Sequence, residues 1–88
     1  MVDRPRTPWT IKIGLYFVAE FGEAIVSTND TVTFDTVSTV AGALIRAHFI
    51  RKSNGGILAS TNTNNVAEVT TAGVIDEPCV YIVYGIKA

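Results

Sequence analysis

Gly55-Gly56-Ile57-Leu58-Ala59-Ser60 through Cys79-Val80-Tyr81-Ile82-Val83-Tyr84-Gly85 alternates short apolar runs with polar turn clusters. Runs of four to eight β-formers bounded by Gly, Asn, Asp and Pro are the pattern of a compact antiparallel β module. Inside this stretch Asn62-Thr63-Asn64-Asn65 separates a strand over 57–60 from one over 66–70, and Asp76-Glu77-Pro78 precedes a closing strand over 79–84. Just upstream, Ser53-Asn54-Gly55-Gly56 is hairpin chemistry, because Asn and Gly tolerate positive φ at little cost.

The residues ahead of that hairpin admit two periodicities. Val37, Val40, Ala41, Leu44, Ile45 and His48 fit a helical stripe capped by Asp35, and whether 37–48 contains a short helix stays open. Residues 44–52 also fit a strand that turns Ile45, Ala47 and Phe49 inward and Arg46, His48 and Lys52 outward; the following turn would pair it with 57–60, so the strand is preferred. Further upstream, Thr28-Asn29-Asp30 is expected to join short strands at 24–27 and 31–35 as a hairpin. Trp9, Ile11, Ile13, Leu15 and Phe17 sit at two-residue spacing, which predicts a strand with its odd positions inward.

Val, Ile and Thr make up 31 of the 88 residues, a β-branched bias that suits a pleated surface. The expected fold is all-β: a single antiparallel β-sandwich or barrel of about six to seven strands over 9–88, preceded by an extended N-terminal arm over 1–8. A chain this size buries roughly 60 to 65% of its unfolded surface, so docking or self-association would add useful stability. The one cysteine, Cys79, excludes an internal disulfide. Net charge is −1 without a block of like charges, which argues against nucleic acid as a partner. The apolar stretch 11–18 is interrupted by Lys12 and Gly14 and is too short to span a bilayer; neither a membrane partner nor an export signal is expected.

Reactive constellations are sparse. His48 is the sole histidine, and no His-x-x-His or Cys-x-x-Cys spacing suggests a metal. Cys79 with His48 would lack an orienting third group and an oxyanion pocket. Asn29-Asp30 and Asp76-Glu77 place oxygen ligands in turns without the alternating pattern of a calcium loop. Gly55-Gly56 precedes no Gly-Lys-Ser/Thr helix start. The expectation is a protein that is not an enzyme and uses no cofactor or metal.

Two features are left as partner-binding candidates. In the arm, Pro5 and Pro8 keep the chain extended and Arg4 and Arg6 supply planar donors suited to a neighbour's carboxylates, with Trp9 adjoining. On the strand over 44–52, Arg46, His48 and Lys52, with Arg51, concentrate positive charge on a slightly acidic body and would suit an acidic surface.

The run Thr31-Val32-Thr33-Phe34-Asp35-Thr36-Val37-Ser38, continuing into Ala43-Leu44-Ile45-Arg46-Ala47-His48-Phe49-Ile50-Arg51, is followed by the Gly-Gly hairpin with Ile57-Leu58-Ala59-Ser60-Thr61. Val66-Ala67-Glu68-Val69-Thr70 and Val80-Tyr81-Ile82-Val83-Tyr84-Gly85 come next, and in this order the strands resemble small β-sandwich proteins of tailed-bacteriophage virions. Those are capsid decoration (cement) and tail-associated structural proteins. The resemblance covers 31–85 and rests on strand order and flavour. It implies a structural protein, made in the host cytoplasm and placed on the capsid surface of the virion, whose partner is the major capsid protein or another shell protein. It further implies a homo-oligomer, a trimer favoured, and an arm that invades a neighbouring subunit. The alternatives are a tail-associated subunit and a carbohydrate-binding or adhesive module. The last would need Trp9, Tyr16, Tyr81 or Tyr84 as an exposed aromatic platform, with Tyr16 the outward-facing candidate.

Overall fold

A computed structural model of the chain describes residues 2–88. Seven strands form one curled, half-barrel sheet: β1 (Arg6–Ile13), β2 (Phe17–Val26), β3 (Thr31–Thr33), β4 (Leu44–Arg51), β5 (Ile57–Thr63), β6 (Val66–Thr71) and β7 (Glu77–Ile86). Their spatial order is β1-β2-β7-β4-β5-β6-β3, and all six neighbouring pairs are antiparallel. The all-β expectation is borne out, and the strand reading of 44–52 prevails: no described residue is helical.

The concave face holds the core. On β7, Glu77, Cys79, Tyr81, Val83 and Gly85 are buried while Pro78, Ile82, Tyr84 and Ile86 are exposed, the period of two expected of a strand with one face covered. Phe34 and Phe49 pack on Tyr81, with ring centroids at 5.3 and 6.4 Å. These three rings and a shell of Val residues supply most of the buried apolar volume.

The hairpin Ser53–Gly56 joins β4 to β5 as expected, with Gly55 in the left-handed region (φ 74°) and its N–H donating to Arg51 O at 2.9 Å. Asn64, also left-handed at φ 55°, turns β5 into β6. The Thr28-Asn29-Asp30 turn does not make a hairpin, since β2 pairs with β1 and β7 whereas β3 pairs with β6. Instead the Asn29 N–H reaches Val69 O, so the turn carries the chain from one end of the sheet to the other.

The expected single strand over Trp9–Phe17 is also corrected. The chain reverses at Gly14, whose N–H donates to Phe17 O at 2.7 Å, so Phe17 begins β2 and the two strands form a hairpin. Nor are the odd positions buried: Trp9, Ile11, Ile13, Leu15 and Phe17 are 40–77% exposed. The register shifts between Pro8 and Thr10, and this bulge rotates Trp9 to the convex face. Ile11 and Ile13 do lie opposite core-facing Glu20 and Val18, but β1 is the end of the sheet and nothing described covers them. A second shift, between Leu44 and Arg46, likewise leaves Ile45 exposed where alternation placed it inward.

The segment ahead of β1 is not a free arm. Val2 O accepts from Thr31 N–H and Arg4 N–H donates to Thr31 O, a parallel bridge that covers the outer edge of β3. Strand structure then starts at Arg6, inside the span expected to be arm.

Candidate functional site

Arg4 and Arg6, expected to reach a neighbour, are both engaged within the chain. Arg4 Nε donates to Asp30 Oδ2 and Nη2 to Asp76 Oδ1, each at 2.7 Å. Asp30 Oδ2 also accepts from Ser27 N–H at 2.9 Å, and Oδ1 from Val2 N–H at 3.1 Å. Burial alone would raise the Asp30 carboxyl, but the Ser27 amide and the Arg4 guanidinium hold it below the usual carboxylate range. The two acidic turns singled out in the sequence are thus joined by one arginine.

Arg6 reaches deeper. Glu20 is fully buried in the middle of β2 and forms a fork with Arg6, Nε to Oε2 at 2.5 Å and Nη2 to Oε1 at 3.1 Å. Thr36 Oγ1 donates to Oε1 at 3.0 Å and the Tyr81 hydroxyl donates to Oε2. Arg6 also binds Asp35 Oδ1 and Thr33 O, and its guanidinium lies 5.3 Å from the Phe34 ring centroid. Burial would push the Glu20 carboxyl up; the donors from Arg6, Tyr81 and Thr36 outweigh it and keep the group ionised below its ordinary range. Burial and the adjacent Glu20 charge push the Tyr81 phenol well above 10.

Sequence reasoning missed this cluster because its members are scattered over Arg6, Glu20, Asp35, Thr36 and Tyr81. A hint was available: Glu20 and Gly22 share one face of β2 with Val18, Ala24 and Val26. Gly22 has to be small, since a Cβ there would stand 2.5 Å from the Tyr81 hydroxyl oxygen and against the Thr7 carbonyl. With every Glu20 oxygen occupied by donors, the cluster cross-links β1, β2, β7 and the β3–β4 connection.

The cluster sets a pH dependence. Asp30 and Glu20 have folded-state pKa values below their unfolded ones, so they contribute stability above about pH 4.5, and it is lost as pH falls through the folded values. Cys79 behaves oppositely: burial and Glu77 push its thiol up to about 11. Its neutral form is favoured in the folded protein, and that contribution disappears as pH rises from about 9 to about 11. Thermal melts followed by circular dichroism should therefore give a plateau between about pH 5 and 9 that falls on both sides. A melting temperature unchanged between pH 6 and 3 would contradict the ion-pair account.

Exposed apolar side chains gather on the convex face of β1, β2, β7 and β4. Opposed residues in the registers share a face, so Phe21 with Ile82 and His48, and Ala19 with Tyr84 and Arg46, form rows across it. Phe17, Phe21, Ile82, Tyr84 and Ile86 are each at least 40% exposed. Two shallow apolar depressions flank Phe21 and Ile82: one of about 450 Å³ reaching Lys12, Phe17 and Tyr84, the other of about 370 Å³ reaching Trp9 and Val80.

Charge frames this band. Arg46 and His48 stand along β4 with Lys52 just beyond its end, and Lys12 lies on β1 opposite Ala19. The acidic residue among them is Glu23, which accepts from Lys52 Nζ at 3.1 Å and Trp9 Nε1 at 2.9 Å. The outward expectation for Arg46, His48 and Lys52 holds, but Arg51 points to the concave side. Its Nη2 donates to Ala72 O at 2.9 Å and its Nε lies 3.1 Å from Glu77 Oε1.

Of the remaining candidates, Pro5, Pro8 and Trp9 are exposed, with Trp9 on the apolar band. His48 and Cys79 lie on opposite faces of the sheet, which separates the one thiol from the one imidazole. For an aromatic platform, Trp9, Tyr16 and Tyr84 are exposed, but Tyr81 is buried on Glu20 and cannot contribute. No family model, curated protein or solved structure matches the chain.

Proposed function

We propose that the chain is a viral structural protein that decorates an assembled capsid, bridging its subunits through the convex face of β1, β2, β7 and β4. The observation that carries this reading is the apolar band of Phe17, Phe21, Ile82 and Tyr84, framed by Lys12 and Arg46, with His48 beside them and Lys52 held by Glu23, on a protein of net charge −1. Such a face is complementary to an apolar surface rimmed with carboxylates. A major capsid protein or other shell protein presenting that surface is the proposed partner, and the capsid surface the proposed location.

A standard interface of roughly 800 Å² per partner would cover about one-sixth of the protein's 4906 Å². Binding the assembled shell in preference to free subunits stabilises the shell by RT ln(1 + [L]/Kd) at each site, and many copies multiply a small gain. The cross-linked concave side suits this role, because a rigid module loses little freedom on docking.

The test is co-sedimentation of the purified protein with the virus particles of its source. Saturable binding to intact particles, weaker toward dissociated shell protein, is the expected result. Failure to bind particles, together with glycan binding that is lost in Tyr16→Ala, would replace this reading with the carbohydrate-binding one.

A further inference from the structure

We infer that two copies of this chain pair through their β1 strands, antiparallel about a two-fold axis, to make one continuous sheet. The inference is independent of what the convex face binds.

The two ends of the sheet are treated differently. At one end, residues 2–4 cover β3 through the parallel bridge to Thr31. At the other, β1 pairs with β2 on one side and with no described residue on the other. Antiparallel ladders alternate between residues that point both backbone groups at the partner strand and residues that point both away. Gly14 N–H donates to Phe17 O, which fixes the phase: Lys12 faces β2, while Ile11 and Ile13 direct their N–H and C=O groups outward.

Those same two residues carry side chains in the core phase that the chain's own core does not reach. Ile11 is 40% and Ile13 65% exposed, opposite buried Glu20 and Val18. An edge strand whose outward backbone groups at Ile11 and Ile13 are unpaired, and whose concave side chains there are apolar, is a template for strand addition.

The geometry also selects the occupant. Addition of β1 to β3 of another copy, which would build a ring or a filament, is obstructed because residues 2–4 already occupy that edge. The remaining self-pairing is β1 with β1. One register uses all the outward groups: Ile11 of one copy faces Ile13 of the other, twice, with Lys12 on the axis. Pairing Ile11 with itself would instead set Ile13 against Trp9, which sits in the bulge, and pairing Ile13 with itself would set Ile11 against Leu15 in the turn. The chosen register joins four isoleucines on the concave side. It also brings two convex faces into one surface, as a two-fold pair in place of the trimer expected from the resemblance.

Lys12 then faces its own symmetry mate, on the solvent side, and like charges directly opposed weaken a strand pair. The dimer should therefore tighten with added salt and tighten further in Lys12→Thr. Sedimentation equilibrium of the intact chain should show a monomer–dimer equilibrium. Ile11→Pro removes an outward N–H without touching the β1–β2 ladder, and it should weaken the dimer at least about tenfold with the β-sheet circular dichroism spectrum retained. Should the proline perturb β1, Ile13→Lys, at an exposed position, tests the same edge.

The register has its own readout. Lys12→Cys should oxidise to a disulfide-linked dimer, because directly opposed residues place their Cα atoms about 4.5 Å apart. Ile25→Cys, exposed at the far end of β2, should not; buried Cys79 stays out of the reaction. A wild-type chain that is monomeric at the highest attainable concentration, or a dimer indifferent to both Ile11→Pro and Ile13→Lys, would overturn the pairing. Equal cross-linking at 12 and 25 would overturn the register.

Discussion

Arg6→Met is expected to destabilise the fold by about 3–5 kcal/mol, the usual consequence of stripping one partner from a buried ion pair. Glu20 is fully buried, and Arg6 contributes two of the four hydrogen bonds to its carboxylate. Without Arg6 the buried charge would keep only two hydroxyl donors, those of Thr36 and Tyr81. For a domain of this size each kcal/mol shifts the melting temperature by about 4–8 °C, so a fall of at least about 12 °C is predicted by thermal circular dichroism.

The variant should also reverse its response to acid. In the natural chain Glu20 titrates below its unfolded value, so its contribution is lost on acidification. In Arg6→Met burial dominates, the carboxyl is raised, and protonation relieves the unpaired charge; the variant's deficit should narrow as pH falls from 7 to 4. Arg6→Met combined with Glu20→Gln should recover much of the loss, because the second change removes the stranded charge. A melting temperature within about 4 °C of the natural protein's would mean that the cluster does not hold β1 to the body.

Phe21→Thr with Tyr84→Thr is expected to weaken attachment to particles at least about 100-fold while leaving the melting temperature nearly unchanged. The two residues lie on the convex face, 41% exposed each, and threonine keeps the strand preference. Truncating an aromatic at the centre of an interface typically costs about 2 kcal/mol or more, roughly 30-fold. Outward surface changes usually move stability by about 0.5 kcal/mol or less. Separation of the two effects distinguishes a docking face from exposed residues that merely fill the sheet's surface. Unaltered binding of the double variant would move the docking site elsewhere on the molecule.

Strands β4, β6 and β7 were legible because each keeps a covered and an open face, and β5 was legible from the turns at Gly55 and Asn64, although Asn62 and Thr63, expected in the turn, extend it and pair with Ala67 and Val66. Most of β2 was not. Its concave residues are Val18, Glu20, Gly22, Ala24 and Val26, while Phe17, Phe21 and Ile25 face outward, so the larger side chains lie on the side alternation would assign to solvent. The phase of β1 failed because alternation identifies a face without showing whether anything covers it, and the bulge at Trp9 changes that phase partway.

For the site, Arg46, His48 and Lys52 were legible as an outward row once 44–52 was read as a strand. Arg4 and Arg6 were recognised as planar donors, but their partners lie 14 to 72 residues away in the chain, a separation no local pattern conveys. The apolar band is assembled from β1, β2 and β7, which become neighbours only through a topology that the sequence pattern left open.

The most direct test of the central claim is the copy number of this chain in purified virus particles, by quantitative mass spectrometry against the major capsid protein. A decoration protein is predicted to occur in fixed proportion to the shell subunit and to fall with it when shells are disassembled. A few copies per particle would assign it to the tail, and absence from particles would contradict the account.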